Sequence, residues 1–108
     1  MNLVFLGITI TQDGFVVVTY NYHNIDDHKA RKYTQTGTFI SLIALHRRGR
    51  SENKPQPAGI SSYLHRRLLV VDESNKRVQV GILLFNSTID FNARYEYSLS
   101  VYPYFIFY

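Results

Sequence analysis

Residues 3–23 read LVFLGITI-TQDG-FVVVTYNYH, two β-type runs separated by a turn signal. Leu3–Ile10 and Phe15–His23 are rich in Val, Ile, Phe and Tyr, the residue types that strands favour. Between them, Asp13 and Gly14 tolerate the positive φ angles that tight turns require. This stretch therefore predicts an antiparallel hairpin whose loop spans residues 11–14.

The same hairpin predicts which side chains are buried. A loop of two or four residues places even positions of the first strand on the same face as odd positions of the second. The face that we expect to form the core holds Leu6, Ile8, Ile10, Phe15 and Val17. The other face, interpreted as either a second packed layer or a functional surface, holds Phe5, Thr9, Val16, Val18, Tyr20 and Tyr22.

The segments after the hairpin alternate between loop and strand signals. Asn24–Lys32 is polar and charged, which predicts a loop with room for one helical turn. Thr34–Leu45 is apolar on both faces and predicts a central strand covered on two sides. Leu68–Asp72 and Arg77–Asn86 predict a second hairpin around a polar turn.

The last third of the chain is also β-rich. Arg94–Tyr102 alternates apolar and polar residues, as in a half-exposed strand. Ser87–Asn92 fits either a short strand or a turn. Tyr104–Tyr108 is apolar throughout, so we expect it to pair within the fold or with another subunit.

Together these patterns predict one domain over residues 1–108. Its fold class is mainly β, a small antiparallel β-sandwich or partly open barrel of six to seven strands. At most one or two short helices are expected, with Ser61–Leu68 as the candidate because of its apolar spacing. A long basic loop over residues 46–67 divides the chain.

That loop carries nearly all of the excess positive charge. It contains six basic residues against one acid, a net charge of +5, whereas the rest of the chain nets −1. The basic residues are Arg47, Arg48, Arg50, Lys54, Arg66 and Arg67. Arginine forks chelate phosphate oxygens at two points, so these side chains are the predicted anion-binding site. Phe5, Tyr20 and Tyr22 are candidates for stacking on bases.

No pattern of a cofactor or metal site accompanies this charge. The chain has no Cys, which excludes disulfides and thiolate metal sites. The His and Asp residues of the segment His23–His28 could ligate a divalent ion, but no further cluster completes a coordination shell. A surface turn is the simpler interpretation, and we predict neither a metal nor a cofactor.

Catalytic signals are equally sparse. Asp26 and Asp27 could act as acid and base, and His46 or His65 beside arginines resembles part of a phosphodiester-cleaving pair. The sequence has no nucleophile elbow, no phosphate-cradling glycine loop and no dinucleotide fingerprint. A non-enzymatic protein is therefore the prediction.

Two functions remain, from different classes. The first is a nucleic-acid-binding module, RNA more than DNA, as part of a nucleoprotein assembly. The alternative is a structural or interaction protein that forms an oligomer or coats a larger complex through exposed β edges and Tyr104–Tyr108. The short apolar start is interpreted as a strand and not as a signal peptide, and no run is long enough to span a bilayer. An intracellular, cytoplasmic location is expected.

Overall fold

The computed structural model describes residues 3–22, 29–46, 55–91 and 96–98. Within these ranges the chain forms β-strands joined by turns and no helix. The strands are β1 (Leu3–Ile10), β2 (Val16–Tyr22), β3 (Lys29–Tyr33), β4 (Phe39–Ala44), β5 (Pro57–Tyr63), β6 (Arg67–Asp72), β7 (Arg77–Leu83), β8 (Ile89–Asp90) and β9 (Glu96–Ser98).

The strands form two antiparallel sheets that pack together as a sandwich. The first sheet has the order β1-β2-β3-β4, and the second has the order β5-β6-β7, with β8 and β9 both pairing with β7. The sandwich prediction is confirmed, and the barrel is not closed. The described strands number nine because β3 lies where the sequence predicts a loop, β5 lies inside the predicted basic loop 46–67, and β8 lies where the sequence leaves strand or turn open. The loop prediction is therefore wrong for residues 57–63, which pair with β6.

The first hairpin forms at the predicted place, but its loop has an odd length. The amide of Thr11 donates to the carbonyl of Phe15 at 2.8 Å, and the amide of Gly14 donates to the carbonyl of Thr11 at 2.9 Å. Gly14 has a φ of 88°, a left-handed conformation that glycine adopts without steric cost. Phe15 therefore closes the turn opposite Thr11, and Ile10 pairs with Val16.

This odd loop reverses the predicted faces over residues 7–10 of β1, and a register shift between Phe5 and Gly7 ends the reversal. Ile8 and Ile10 now share a face with even-numbered residues of β2 and are 68% and 57% exposed. Val17 is fully buried and Phe15 is half-buried. The core prediction is therefore wrong for Ile8 and Ile10, and it is confirmed for Val17. It is also wrong for Leu6, which lies at the register shift and is 44% exposed.

The next two strands also differ from the sequence-based expectation. The end of the predicted loop Asn24–Lys32 belongs to β3, which pairs with β2 and β4. The predicted central strand Thr34–Leu45 begins with a turn, in which the amide of Thr34 donates to the carbonyl of Thr38 at 2.8 Å and Gly37 has a φ of 94°. Only its second half forms β4, an edge strand, so both predictions are corrected.

The predicted helix at Ser61–Leu68 is wrong. β5 continues through Tyr63, and β6 starts at Arg67. Between them, His65 and Arg66 both have a φ of 60°. Two consecutive left-handed residues form the type of tight turn that matches the twist of a hairpin. The apolar spacing therefore reflects two strands and a turn, because pairing with β7 decides the conformation.

The C-terminal predictions are confirmed in part, since the predicted strand Arg77–Asn86 ends at Leu83 and its last three residues lie in a turn. The hairpin expected from Leu68–Asp72 and Arg77–Asn86 is β6 and β7. The strand expected at Arg94–Tyr102 contains β9, which pairs with β7. Tyr104–Tyr108 lies outside the described residues.

The core lies between the two sheets and is closed along one side. Its buried residues are Val17, Ala30, Ile43, Leu68, Val70 and Phe91. At the closed side, β1 crosses close to β5, where a Cβ at Gly7 would lie 3.0 Å from the amide nitrogen of Ile60. The hydroxyl of Thr9 accepts a hydrogen bond from the amide of Ser62 at 3.0 Å. On the other side, a cleft of about 550 Å³ separates β4 from β8.

Candidate nucleic-acid interface

The predicted phosphate-binding residues fall into two groups. Residues 47–54, called the basic arm here, lie outside the described residues and contain Arg47, Arg48, Arg50 and Lys54. Arg66 and Arg67 lie at the turn between β5 and β6. His46 and Gln56 are described, so the structure shows where both ends of the arm are attached.

A buried carboxylate at the end of β6 accepts five hydrogen bonds. Asp72 is fully buried, and Arg77, also buried, forms an ion pair with it at 3.1 Å. The five donors are Arg77 Nε (3.1 Å), Gln79 Nε2 (3.2 Å), Asn75 Nδ2 (3.0 Å), Ser74 Oγ (3.2 Å) and the amide of Gln56 (3.0 Å). Since a buried charge is costly unless it is paired and hydrogen-bonded, this shell is what keeps the carboxylate ionised.

The protonation of Asp72 follows from this shell. Burial acts to raise the pKa of the Asp72 carboxyl group. The hydrogen bonds from Asn75, the Gln56 amide, Gln79 and Arg77 outweigh burial, so the pKa lies below its ordinary value. Asp72 is therefore a stable anion at neutral pH, and it holds the donors around it in place.

The same network binds both ends of the basic arm. On one side, the carbonyl of His46 accepts from Arg77 Nη2 at 2.8 Å and from Gln79 Nε2 at 2.9 Å, and its amide donates to Gln79 Oε1 at 2.9 Å. On the other side, the amide of Gln56 donates to Asp72. We call Asp72, Arg77 and Gln79 the arm clamp.

Sequence reasoning missed the arm clamp. Its one available signal was that Asp72 and Arg77, of opposite charge, directly flank the turn of a predicted hairpin and so face each other across it. Nothing in the sequence indicated that His46 and Gln56 would meet there, because that contact joins the two sheets.

Arg66 is held by the neighbouring hairpin. Its Nε donates to the carbonyl of Leu83 and its Nη2 to the carbonyl of Leu84, both at 3.0 Å. The guanidinium carbon lies 4.9 Å from the centre of the Phe85 ring. These partners are neutral, so they orient the guanidinium without cancelling its charge.

The attachment of the basic arm and the turn that holds Arg66 and Arg67 lie at opposite ends of β6. Arg67 begins β6 and Asp72, which binds the base of the arm, ends it. At roughly 3.3 Å per residue, these positions are about 17 Å apart. Arg67 and Asp90 also flank Ile82 in one row across β6, β7 and β8, which places a carboxylate of the same molecule near this end. The described residues therefore give two separate attachment points and not one basic surface.

The three stacking candidates have different environments. Phe5 lies on the outward face of the first sheet and is 58% exposed. Tyr20 is only 5% exposed, with the guanidinium carbon of Arg31 at 4.9 Å from its ring centre, so its ring is not available to a base. The Tyr22 side chain lies outside the described part of the chain.

A second polar cluster, also missed from the sequence, joins the two sheets at the other end of the cleft. Lys32 is buried, donates from Nζ to the carbonyl of Ser87, and lies 4.2 Å from the centre of the Phe15 ring. The hydroxyl of Ser87 donates to Asp13 at 2.7 Å. Burial acts to raise the pKa of Asp13, but hydrogen bonds from Thr11 and Ser87 and the charge of Lys32 lower it overall. This cluster joins the turn that holds Asp13, the turn that holds Ser87 and strand β3.

The candidates for metal binding and catalysis do not form a site among the described residues. His23, Asp26, Asp27 and His28 lie outside them. No three His, Asp or Glu side chains of the described ranges come together as a metal site. His46 and His65 lie at opposite ends of the second sheet, so they do not converge. The part of the chain that is described also has no helix of the length and apolarity needed to cross a membrane.

Comparison with protein-family models and with curated protein sequences finds no match for this chain.

Proposed function

We propose that this protein is a non-enzymatic module that binds nucleic acid, RNA in preference to DNA, through its basic arm. The observation that carries the proposal is the arm clamp, which binds the backbone at both His46 and Gln56. Fixing the two ends of a loop reduces the conformational freedom that is lost when the loop binds a ligand. The arm carries three Arg and one Lys against one Glu, so its ligand is expected to be a polyanion.

RNA is favoured because arginine-rich segments recognise folded and single-stranded RNA largely through the shape and charge of its backbone. Arginine is also the cation suited to two-point contact with phosphate. The β-sandwich contributes a rigid base, since Asp72 and Arg77 of the clamp are both buried. The predicted role in a nucleoprotein assembly follows from this combination of a fixed base and a cationic arm.

The test is a titration of fluorescently labelled single-stranded RNA, and of DNA of the same sequence, by fluorescence anisotropy at about 50 to 200 mM salt. Each phosphate neutralised on a single strand contributes about 0.7 to the slope of log affinity against log salt. Replacing Arg47, Arg48 and Arg50 together by alanine should therefore weaken RNA binding and lower this slope by about 2.

The matched control replaces the same three arginines by lysine, which keeps the charge and removes the planar fork. This variant should retain the wild-type salt slope and lose only part of the affinity. The proposal is refuted if the triple alanine variant binds RNA with wild-type affinity and slope, or if wild-type binding does not depend on salt.

A second candidate function is self-association, and it rests on a different observation. The outward face of the first sheet carries large apolar side chains that are about half exposed or more, namely Phe5, Ile8, Ile10, Phe39 and Leu42. The register places Ile8 and Leu42 in one row across the four strands, and Ile10 and Phe39 in the next. Val18 and Arg31 lie between Ile8 and Leu42 in the first of these rows, so the face combines apolar side chains with one cation. Several exposed apolar side chains on one face are typical of a protein–protein contact, and a second copy of this chain is the proposed partner.

Light scattering across a dilution series tests the second candidate. Ile8→Ser combined with Leu42→Ser should shift the wild-type oligomer to monomer, because it removes the apolar ends of one row. Leu84→Ser, which removes an exposed leucine at a turn of the other sheet, is the control and should leave the mass unchanged. A wild-type protein that is monomeric throughout the series rules this candidate out.

A further inference from the structure

Phe85 is the most exposed large apolar side chain among the described residues. It lies at the tip of the turn after β7, and 94% of its surface is accessible to solvent. A phenyl ring in water gains nothing for the fold, since its apolar area is not removed from solvent. Its position therefore calls for an explanation other than folding stability.

The Phe85 ring contacts the guanidinium of Arg66, whose central carbon lies 4.9 Å from the ring centre. Arg66 cannot swing away freely, because two hydrogen bonds fix it to the carbonyls of Leu83 and Leu84. Its own carbonyl also accepts from the amide of Leu83 at 2.7 Å. The cation is thus held against the ring by the backbones of two adjacent turns.

The fixed guanidinium still has donors to offer. Arginine carries five N–H donors, and the two hydrogen bonds to carbonyls use two of them. The remaining three are bound by no described residue. An anion placed beside the Phe85 ring would find an oriented fork and an uncancelled positive charge.

A groove adjoins this pair and extends the surface. It has a volume of about 550 Å³, and Arg66 lines it together with Tyr63, Leu64 and His65. Tyr63 is 57% exposed and Leu64 is 65% exposed. This end of the second sheet therefore combines aromatic rings, apolar carbon and the guanidinium of Arg66, and that is the combination with which proteins bind a base and its phosphate at once.

We propose that Phe85 and Arg66 form a stacking site for one nucleotide of a single-stranded RNA, with the base on the free face of the Phe85 ring and a phosphate on Arg66. The ligand must be both planar and anionic, because the ring offers only a stacking face and the guanidinium only donors. The site lies about 17 Å along β6 from the base of the basic arm. This inference rests on the proposed function, to which it adds a second contact with the bound RNA strand.

The experiment compares two exposed phenylalanines. Phe85→Ala and Phe39→Ala, the second at a ring that is 51% exposed on the other sheet, are each titrated with labelled single-stranded RNA and, separately, with inorganic polyphosphate as a competitor that has no bases. Phe85→Ala should weaken RNA binding by roughly 5- to 150-fold, the range for losing one base–aromatic stack, and should leave the polyphosphate affinity unchanged. Phe39→Ala should change neither affinity. Since the Phe85 side chain is almost fully exposed, its removal leaves the fold intact.

Three results would overturn the inference: wild-type RNA affinity in Phe85→Ala, equal losses for RNA and polyphosphate, or a loss only in Phe39→Ala. The arm variant that replaces Arg47, Arg48 and Arg50 separates this inference from the proposed function. If that variant loses RNA binding and Phe85→Ala does not, the stacking site is wrong and the arm proposal stands. If only Phe85→Ala loses binding, the arm proposal is wrong and the stacking site stands.

Discussion

Replacing Asp72 by asparagine tests the arm clamp directly. The substitution keeps the shape of the side chain and removes the charge that faces Arg77, which is buried and pairs with Asp72 at 3.1 Å. The new amide group would also point donors at a shell that consists of donors only. Removing one partner of a buried ion pair costs about 3 to 5 kcal/mol, and we expect the free energy of unfolding at neutral pH to fall by that amount. This is a large fraction of the stability of a domain of this size.

The loss should depend on pH in a defined direction. The pKa of Asp72 is lower in the folded protein than in the unfolded chain, where it is about 3.9. A depressed carboxyl pKa stabilises the fold fully above the unfolded value, and this contribution is lost as the pH falls through the folded value. The difference between wild type and Asp72→Asn should therefore be constant at neutral pH and shrink below about pH 4.

Urea denaturation followed by tyrosine fluorescence and circular dichroism, repeated across this pH range, measures the effect. Glu73→Gln is the matched control, because it removes the same charge from the next residue, which is exposed. It should change the free energy of unfolding by less than about 0.5 kcal/mol. If Asp72→Asn is as stable as wild type at neutral pH, or if the gap does not close in acid, the account of the arm clamp is refuted.

The remaining predictions concern turns and buried contacts. Gly37→Ala should lower the free energy of unfolding by about 1 kcal/mol, because the residue has a left-handed φ and nothing lies within 4 Å of the added Cβ. Gly14→Ala should lower it more in thermal unfolding, because the added Cβ would lie 3.1 Å from the Gln35 side chain. Equal losses of stability for the two variants would show that the contact with Gln35 does not matter. Lys32→Met should raise the pKa of Asp13 towards its ordinary value in an NMR titration, since the charge of Lys32 helps to lower that pKa. An unchanged titration would show that the two residues do not interact. Gly81→Ala should destabilise the fold by about 1 to 3 kcal/mol, because the added Cβ would lie 2.6 Å from the Phe91 ring. Truncating the Phe91 ring in the same variant should give a loss of stability smaller than the sum of the two single losses.

Local sequence was sufficient to predict the fold class. The β-type run from Leu3 to Ile10, the Asp13-Gly14 turn signal and the polar turn after Asp72 each lie where a hairpin forms. These signals work because they depend on neighbouring residues only. Positive φ at a glycine and the preference of branched and aromatic residues for strands do not require the rest of the chain.

The same reasoning did not predict which face of each strand is buried. Counting the loop as residues 11–14 placed Ile8 and Ile10 in the core, whereas the closing pair is Thr11 with Phe15 and both isoleucines are exposed. Because side chains alternate along a strand, a difference of one residue in the loop exchanges the two faces. Sequence alone does not determine that length when a side chain such as Thr11 completes the turn, as it does by accepting from the amide of Phe15 at 3.0 Å.

For the candidate site, the sequence by itself determined that one segment carries the positive charge of this protein. Tertiary structure alone decided that Asp72 would bind Gln56 and that Arg77 would bind His46. It also decided that Arg66 would lie just before β6, at the end opposite Asp72. The physical reason is that composition is a property of the chain, whereas a hydrogen bond between residues 31 positions apart exists only once two sheets have packed together.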